Sequence, residues 1–204
     1  MVNIVKEEIA PGIVVYSNVV ANSEYLYKNI EEDMILAGLS WQAAYVKSGD
    51  GDTSGINTNT RDTQTIGILY KGILEKSETE DLAAKFLNNM SNIFFEHFDP
   101  IEQDYKANYG ISSTWHDVYG ILKYGVGQKF TNHIDDHPDY HRRISTVYYL
   151  NDNYTGGEIN FPRFGITFKP KANQMIIFPS TYVYNHSVSP VIEGERYAVV
   201  SWMK

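Results

Sequence analysis

The chain has no cysteine. That excludes disulfides, thiolate zinc sites and cysteine nucleophiles, and it fits a reducing interior. Long apolar runs are missing as well: no stretch approaches the roughly 20 residues that a membrane span needs. The opening Met1-Val2-Asn3-Ile4-Val5-Lys6-Glu7-Glu8 breaks its apolar run too early for a signal peptide. Positive charge is scarce. Lys and Arg number 17 against 25 Asp and Glu, a formal charge of −8, which argues against a sequence-independent grip on a nucleic-acid backbone. The expectation is a cytoplasmic protein with no nucleic-acid partner and no membrane.

At 204 residues and 43% hydrophobic content, the chain can form one domain with a sizeable core. Its 16 tyrosines and 15 glycines favour strands and turns over a helical bundle. Ile4 to Val20 reads as one or two short strands around Pro11-Gly12. Asn22 or Ser23 then caps a helix to about Ala37, with Gly38 as its stop. Trp41 to Val46 looks like a strand. The segment from Lys47 to Gln64 is a long polar loop of the kind that covers a site. Ser77 with Glu80 forms a capping box for a helix through about His97, and Asp99-Pro100 starts a shorter second one.

From Trp115 onward strands take over. The candidates are Val118 to Tyr124, Arg143 to Leu150, Glu158 to Phe161, Ile166 to Phe168, Gln174 to Phe178, His186 to Val191 and Arg196 to Met203. Short strands behind a helical first half predict an α+β, mainly β fold. Its core would be a double-stranded β-helix, the cupin-like jelly roll, with N-terminal helices buttressing one sheet. The expected organisation is a single domain over 1–204, with 1–114 as support and 115–204 as the catalytic core.

The chemistry concentrates in that second part. On a strand, residues two apart point the same way, so His133 and Asp135 can grip one ion, and alternation turns Asp136 away. His137 shares their parity, but Pro138 ends the strand there. A second imidazole from His186 makes two histidines and one carboxylate, a set that leaves positions open on non-haem Fe(II) for oxygen chemistry. Arg196, ten residues later, offers a planar charged fork suited to a carboxylate co-substrate. A hairpin register placing Arg196 opposite Pro190 would set it on the face of His186, ~13 Å along the strand. Iron beside a carboxylate clamp points to a 2-oxoglutarate-dependent oxygenase.

These residues sit in a longer pattern: Leu122-Lys123-Tyr124-Gly125-Val126-Gly127, Phe130-Thr131-Asn132-His133-Ile134-Asp135, Arg142-Arg143-Ile144-Ser145-Thr146, Gly156-Gly157-Glu158, Ile176-Ile177-Phe178-Pro179, His186-Ser187-Val188-Ser189-Pro190 and Gly194-Glu195-Arg196-Tyr197. The pattern resembles the prolyl 4-hydroxylase-like branch of the 2-oxoglutarate/Fe(II) dioxygenases over about residues 115 to 204. Upstream, Thr60-Arg61-Asp62-Thr63 resembles a mobile substrate loop of that family. The resemblance implies that His133, Asp135 and His186 bind iron, and that Arg196 and Tyr124 hold the distal carboxylate of 2-oxoglutarate. It implies Arg143, Trp202 and Arg61 near the substrate. It further implies O2 as co-substrate, succinate and CO2 as products, ascorbate as a stimulant, and a proline-containing protein or peptide as partner.

Two departures bear on the substrate. Ile159 stands where the family often has threonine after Gly-Gly-Glu, and Phe130 stands where a tyrosine precedes the first ligand. Two other readings stay open: a same-fold oxygenase acting on a free amino acid, another side chain or a nucleobase, and a non-catalytic, cupin-like metal-binding module.

Overall fold

Alternation along the strands divides the protein into two apolar layers. The computed structural model describes residues 3–44, 46–47, 54–68, 82–112, 116–136 and 141–204. These form two α-helices, α1 (Ser23–Leu36) and α2 (Leu82–Tyr109), two short 3-10 turns and a set of short strands. The first strands are β1 (Val5–Ala10), β2 (Ile13–Ser17), β3 (Gln42–Ala43), β4 (Val46–Lys47), β5 (Ser54–Gly55) and β6 (Gln64–Ile68). After α2 come β7 (Tyr119–Tyr124), β8 (Phe130–His133), β9 (Ile144–Tyr149), β10 (Thr155–Gly156) and β11 (Ile159–Phe161). The chain closes with β12 (Ile166–Phe168), β13 (Gln174–Pro179), β14 (His186–Val188), β15 (Val191–Glu193) and β16 (Arg196–Met203).

An eight-stranded sheet runs in the order β1-β2-β13-β9-β16-β7-β6-β3, and a four-stranded sheet in the order β12-β11-β14-β8. Along β7, Tyr119 and Ile121 join Leu26, Ile30 and Met34 of α1 and Phe86, Met90 and Phe94 of α2 in one buried cluster. The alternate residues Leu122 and Tyr124 join Ile159 and Phe161 of β11 and Val188 of β14 in the other. The larger sheet therefore packs on helices with one face and on the smaller sheet with the other, as period-two alternation requires. The fold is mainly β.

Helix α1 ends as its sequence predicts. Gly38 takes a φ of +71, and the amides of Gly38 and Leu39 bond back to the carbonyls of Ile35 and Met34, the paired bonds of a glycine-terminated helix. At the other end Asn22 caps through its carbonyl rather than its side chain.

Helix α2 differs from expectation. One helix runs straight through Pro100 instead of two meeting there, and the capping box at Ser77 and Glu80 lies outside the described residues. An internal proline costs about 3 kcal/mol. The buried stripe Phe86, Met90, Phe94, Phe98, Ile101 and Tyr105 continues across it without a break, so packing on both sides outweighs the lost bond.

Two expected strands also divide. The expected strand from Trp41 splits into β3 on the large sheet and β4, which pairs with β5 inside the expected polar loop. The expected strand from His186 to Val191 breaks at Ser189-Pro190 into β14 and β15. The latter pairs with β10.

Below the larger sheet, α2 contributes a buried ion pair: Glu102 Oε2 lies 2.7 Å from His116 Nε2, and Ser201 Oγ lies 3.0 Å from His116 Nδ1. Burial works to lower the His116 pKa, but the hydrogen bond and charge of Glu102, with smaller help from the Asp117 carbonyl and Asp99, outweigh it and hold it above its usual value. A raised histidine adds stability in full below the unfolded value of about 6.5 and loses it as pH rises through the folded value. Melting temperature against pH should therefore fall across that window in the native chain. In Glu102→Gln the fall should disappear.

Candidate active site

His133 and His186 are direct cross-strand partners on β8 and β14, which brings their rings to a centroid distance of 4.2 Å. Asp135 does not share the strand as expected. β8 ends at His133, and Asp135 sits in the bend just beyond it, steadied by the Asp136 amide bonding to the Ser180 carbonyl. The bend still aims its carboxylate at both rings: Oδ1 lies 3.6 Å from His133 Nε2, and Oδ2 lies 3.6 Å from His186 Nε2. One ligand atom from each residue falls within 4.8 Å of the others, so the three could hold one ion. Asp136 also lines the cavity, because the bend breaks the alternation that would turn it away. His137 lies outside the described residues.

The donor set suits a divalent metal. His133 Nδ1 lies 2.8 Å from the Thr131 carbonyl and His186 Nδ1 lies 3.1 Å from the Tyr184 carbonyl. A carbonyl can only accept, so each Nδ1 carries the proton and each Nε2 presents its lone pair to the shared point. Burial, with the facing His186, pushes His133 down to about 3. Burial alone would raise Asp135, but His186, His133 and hydrogen bonds from Ser145 and Trp202 outweigh it and hold the carboxyl down to about 2. At neutral pH His133 is thus neutral and Asp135 ionised, the states that metal binding needs.

Ser145, whose hydroxyl donates to Asp135 Oδ2 at 2.7 Å and shares a hydrogen with Ser180 Oγ at 2.8 Å, orients that carboxylate. Loss of such a partner costs about 10- to 100-fold in metal affinity. Ser145→Ala should show that loss in a metal titration while keeping the fold.

The second half of the site comes from the opposite sheet. Arg196 does not face Pro190: it pairs with Tyr124 across β16 and β7, in the larger sheet, while His186 belongs to the smaller one. The hairpin expectation failed because β15 leaves to pair with β10. Both residues nevertheless line one cavity of about 620 Å3 between the sheets.

Arg196 is 1% exposed. Its guanidinium carbon lies 4.8 Å from the Tyr124 ring centre and 5.1 Å from that of Tyr149. Its Nε and Nη1, and the hydroxyls of Tyr149 and Tyr154, are buried without a hydrogen bond of normal geometry. Buried polar atoms are rarely left so, and no carboxylate of the described residues pairs with this guanidinium. Gly157, at φ +67, lets the chain pass close: a Cβ there would lie 3.0 Å from Arg196 Cδ and from Tyr154 Cε2. The residues fit an anionic ligand that brings its own carboxylate to a preformed cluster of donors.

Of the expected substrate residues, Arg61 and Trp202 line the cavity, with Arg61 5.0 Å over the Phe130 ring. Amides and carbonyls of Thr60, Asp62, Lys129 and Thr131 tie that segment to β8. Arg143 does not line it. It is exposed, and its Nη1 donates to the Ser112 carbonyl. Arg142 lines the cavity instead, 3.7 Å over the Trp202 ring and bonded to Asp117. Two adjacent residues point opposite ways at the start of β9, so a shift of one decides between them. Sequence reasoning also missed Ser145, Tyr149 and Tyr154. The first two were open to it, since Ser145, Val147 and Tyr149 alternate on β9. Ile159 lines the cavity where a hydroxyl was expected of relatives.

With this geometry in view, the similarities are informative. Residues 119–204 match the family model described as the 2OG-Fe(II) oxygenase superfamily. A PKHD-type hydroxylase of Prochlorococcus marinus (strain NATL1A) is 36% identical over 85 residues, 39% of this chain and 38% of that protein. The chain thus aligns with well under half the length of that relative. Among solved structures, a Pseudomonas putida prolyl-4-hydroxylase superposes with a TM-score of 0.65 at 17% identity, covering 95% of this chain and 92% of that one. A Trichoplax adhaerens prolyl hydroxylase in complex with a hypoxia inducible factor peptide fragment gives 0.66 at 18%, covering 94% and 83%. At such identities the superpositions speak for the fold. Both histidines, Asp135 and Arg196 thus all lie inside the stretch that matches the 2OG-Fe(II) oxygenase superfamily model, which spans less than half of the chain.

Proposed function

We propose that the chain is a 2-oxoglutarate- and Fe(II)-dependent oxygenase that hydroxylates a C–H bond, with a peptidyl proline as substrate. The observation that carries this reading is the pairing, in one cavity, of a two-histidine, one-carboxylate set with a buried arginine that has no counter-anion among the described residues. A binding module would have no use for the second half.

In this reading His133 Nε2, His186 Nε2 and the Asp135 carboxylate hold the iron. Fe(II), with O2 and 2-oxoglutarate, supplies the chemistry that inserts one oxygen atom and releases succinate and CO2, with ascorbate as a stimulant. Arg196 receives the far carboxylate of the co-substrate, and the Tyr124 hydroxyl completes its grip. Phe130 stacks on His133 with 3.5 Å between ring centres, and Phe161 and Phe178 flank His186. These rings keep water from the ligands and strengthen the electrostatics of the site. Arg61, Arg142 and Trp202 hold the substrate.

The architecture proposed with this function is a double-stranded β-helix buttressed by α1 and α2, as a single domain with 1–114 supporting 115–204. A cysteine-free chain has no need of an oxidising compartment, which supports a cytoplasmic setting. Among the described residues no helix is long and apolar enough to cross a membrane.

The peptide assignment draws on the two solved prolyl hydroxylases above, one of them holding a peptide. Incubation with Fe(II), 2-oxoglutarate, ascorbate and proline-containing peptides should yield succinate in step with a product about 16 Da heavier, one oxygen atom. Succinate formed only with a free amino acid or a nucleobase would reassign the substrate. No succinate with any of them would end the oxygenase reading.

A further inference from the structure

Across the larger sheet, the side chains facing the cavity run out toward one edge. Val147 on β9 stands opposite Val200 on β16, Val200 opposite Gly120 on β7, and Gly120 opposite Gly67 on β6. All four line the cavity. The row thus reads from two β-branched residues to two with no side chain at all. Trp202 and Val118 wall it on one side, and Leu122 and Thr65 on the other. The result is a notch running across the strands. Among the described residues its far end is open: Gly120 is buried, Gly67 is exposed, and the pairs recorded between β3 and β6 are at Gln64 and Thr65.

The backbone does not demand these glycines. Neither has a positive φ. A Cβ on Gly67 would meet nothing within 4 Å, and one on Gly120 would first meet Val200 Cγ2 at 3.4 Å, an ordinary contact. Glycine weakens a strand interior, and its remaining use there is to let another backbone or a ligand come close. With strands ~4.8 Å apart, Val200 to Gly67 spans ~10 Å, the length of about three extended residues.

We propose that Gly67 and Gly120 form a subsite for an extended peptide main chain, which crosses β16, β7 and β6 on one side of the reacting residue. The substrate is then a peptide or protein segment reaching about three residues beyond that residue, and not a free amino acid. This rests on reading the metal triad and Arg196 as the reaction centre.

The absence of cysteine makes the test clean, because Gly67→Cys introduces a unique thiol. Its alkylation by iodoacetamide is followed with 2-oxoglutarate and Mn(II) present. The probes are a pool of random-sequence ten-residue peptides with a central proline, and N-acetylproline amide. The pool should slow alkylation and the single blocked residue should not. In parallel, Gly67→Val and Gly120→Val, both suited to strands, should raise the KM for any peptide turned over by about 10- to 200-fold. Affinity for 2-oxoglutarate should not change. Alkylation that the pool fails to slow, or a peptide KM that both valine variants leave alone, overturns the notch, and the alkylation arm decides even where no peptide in the pool is turned over. A wild-type chain that binds no 2-oxoglutarate would instead overturn the reading of the reaction centre.

Discussion

Replacing Asp135 by alanine should abolish Fe(II)-dependent conversion of 2-oxoglutarate to succinate. The two imidazoles stay in register on β8 and β14, but the ion loses its only anionic ligand in the described set. Losing a partner one step removed from a metal typically costs about 10- to 100-fold, so losing the ligand itself should cost more than about 100-fold in metal affinity. A second effect follows. Ser145 and Trp202 then lose a buried acceptor, a penalty of about 1–3 kcal/mol for each unsatisfied group. Asp135→Asn keeps the shape and part of the hydrogen bonding while removing the charge. It should restore most of the melting temperature and none of the turnover. Succinate release and a thermal melt on the same samples check both halves.

Arg196→Met should move stability and binding in opposite directions. A fully buried guanidinium without a counter-anion is costly, and replacing buried charge by well-packed apolar side chains is often neutral or stabilising by about 1–4 kcal/mol. The ligand-free variant should therefore melt no lower than the native chain. Removing one partner of a buried charge pair costs a ligand about 2–5 kcal/mol, so 2-oxoglutarate should bind roughly 30- to 5,000-fold more weakly. The native chain should gain melting temperature when the metal and 2-oxoglutarate are added together, as any ligand specific to the folded state provides. The variant should gain far less. A variant that loses stability but keeps its affinity would mean that Arg196 is a structural cation.

Much of this site was legible because metal chemistry constrains residue type and spacing. His133, Asp135, His186 and Arg196 were singled out from donor sets and alternation, and all four line one cavity. The reasons given for two of them were wrong in detail. Asp135 sits in a bend, and Arg196 reaches in from a different sheet than His186. Neither fact could be read from spacing, since sheet membership is decided by pairings between distant segments such as β15 with β10 and β16 with β7.

The same limit explains α2. Local signals at Asp99-Pro100 announce a helix start, and only packing against β7 and β9 makes the helix continue through them. Phe98 meets Tyr119 and Tyr148 there, with ring centres 5.8 Å and 5.1 Å apart. The choice between Arg142 and Arg143 had the same character. A single step of strand register decides it, and nothing near the pair in sequence fixes that step.

In the proposed reading, one ion and one dicarboxylate share a cavity built from both sheets. Anaerobic calorimetry tests it most directly, by titrating Fe(II) into the chain and then 2-oxoglutarate into the metal-loaded protein. One metal should bind per chain, then one 2-oxoglutarate, with the second event absent when metal is withheld. Metal taken up equally by a chain lacking His133, Asp135 and His186, or 2-oxoglutarate that fails to bind the loaded protein, would contradict it.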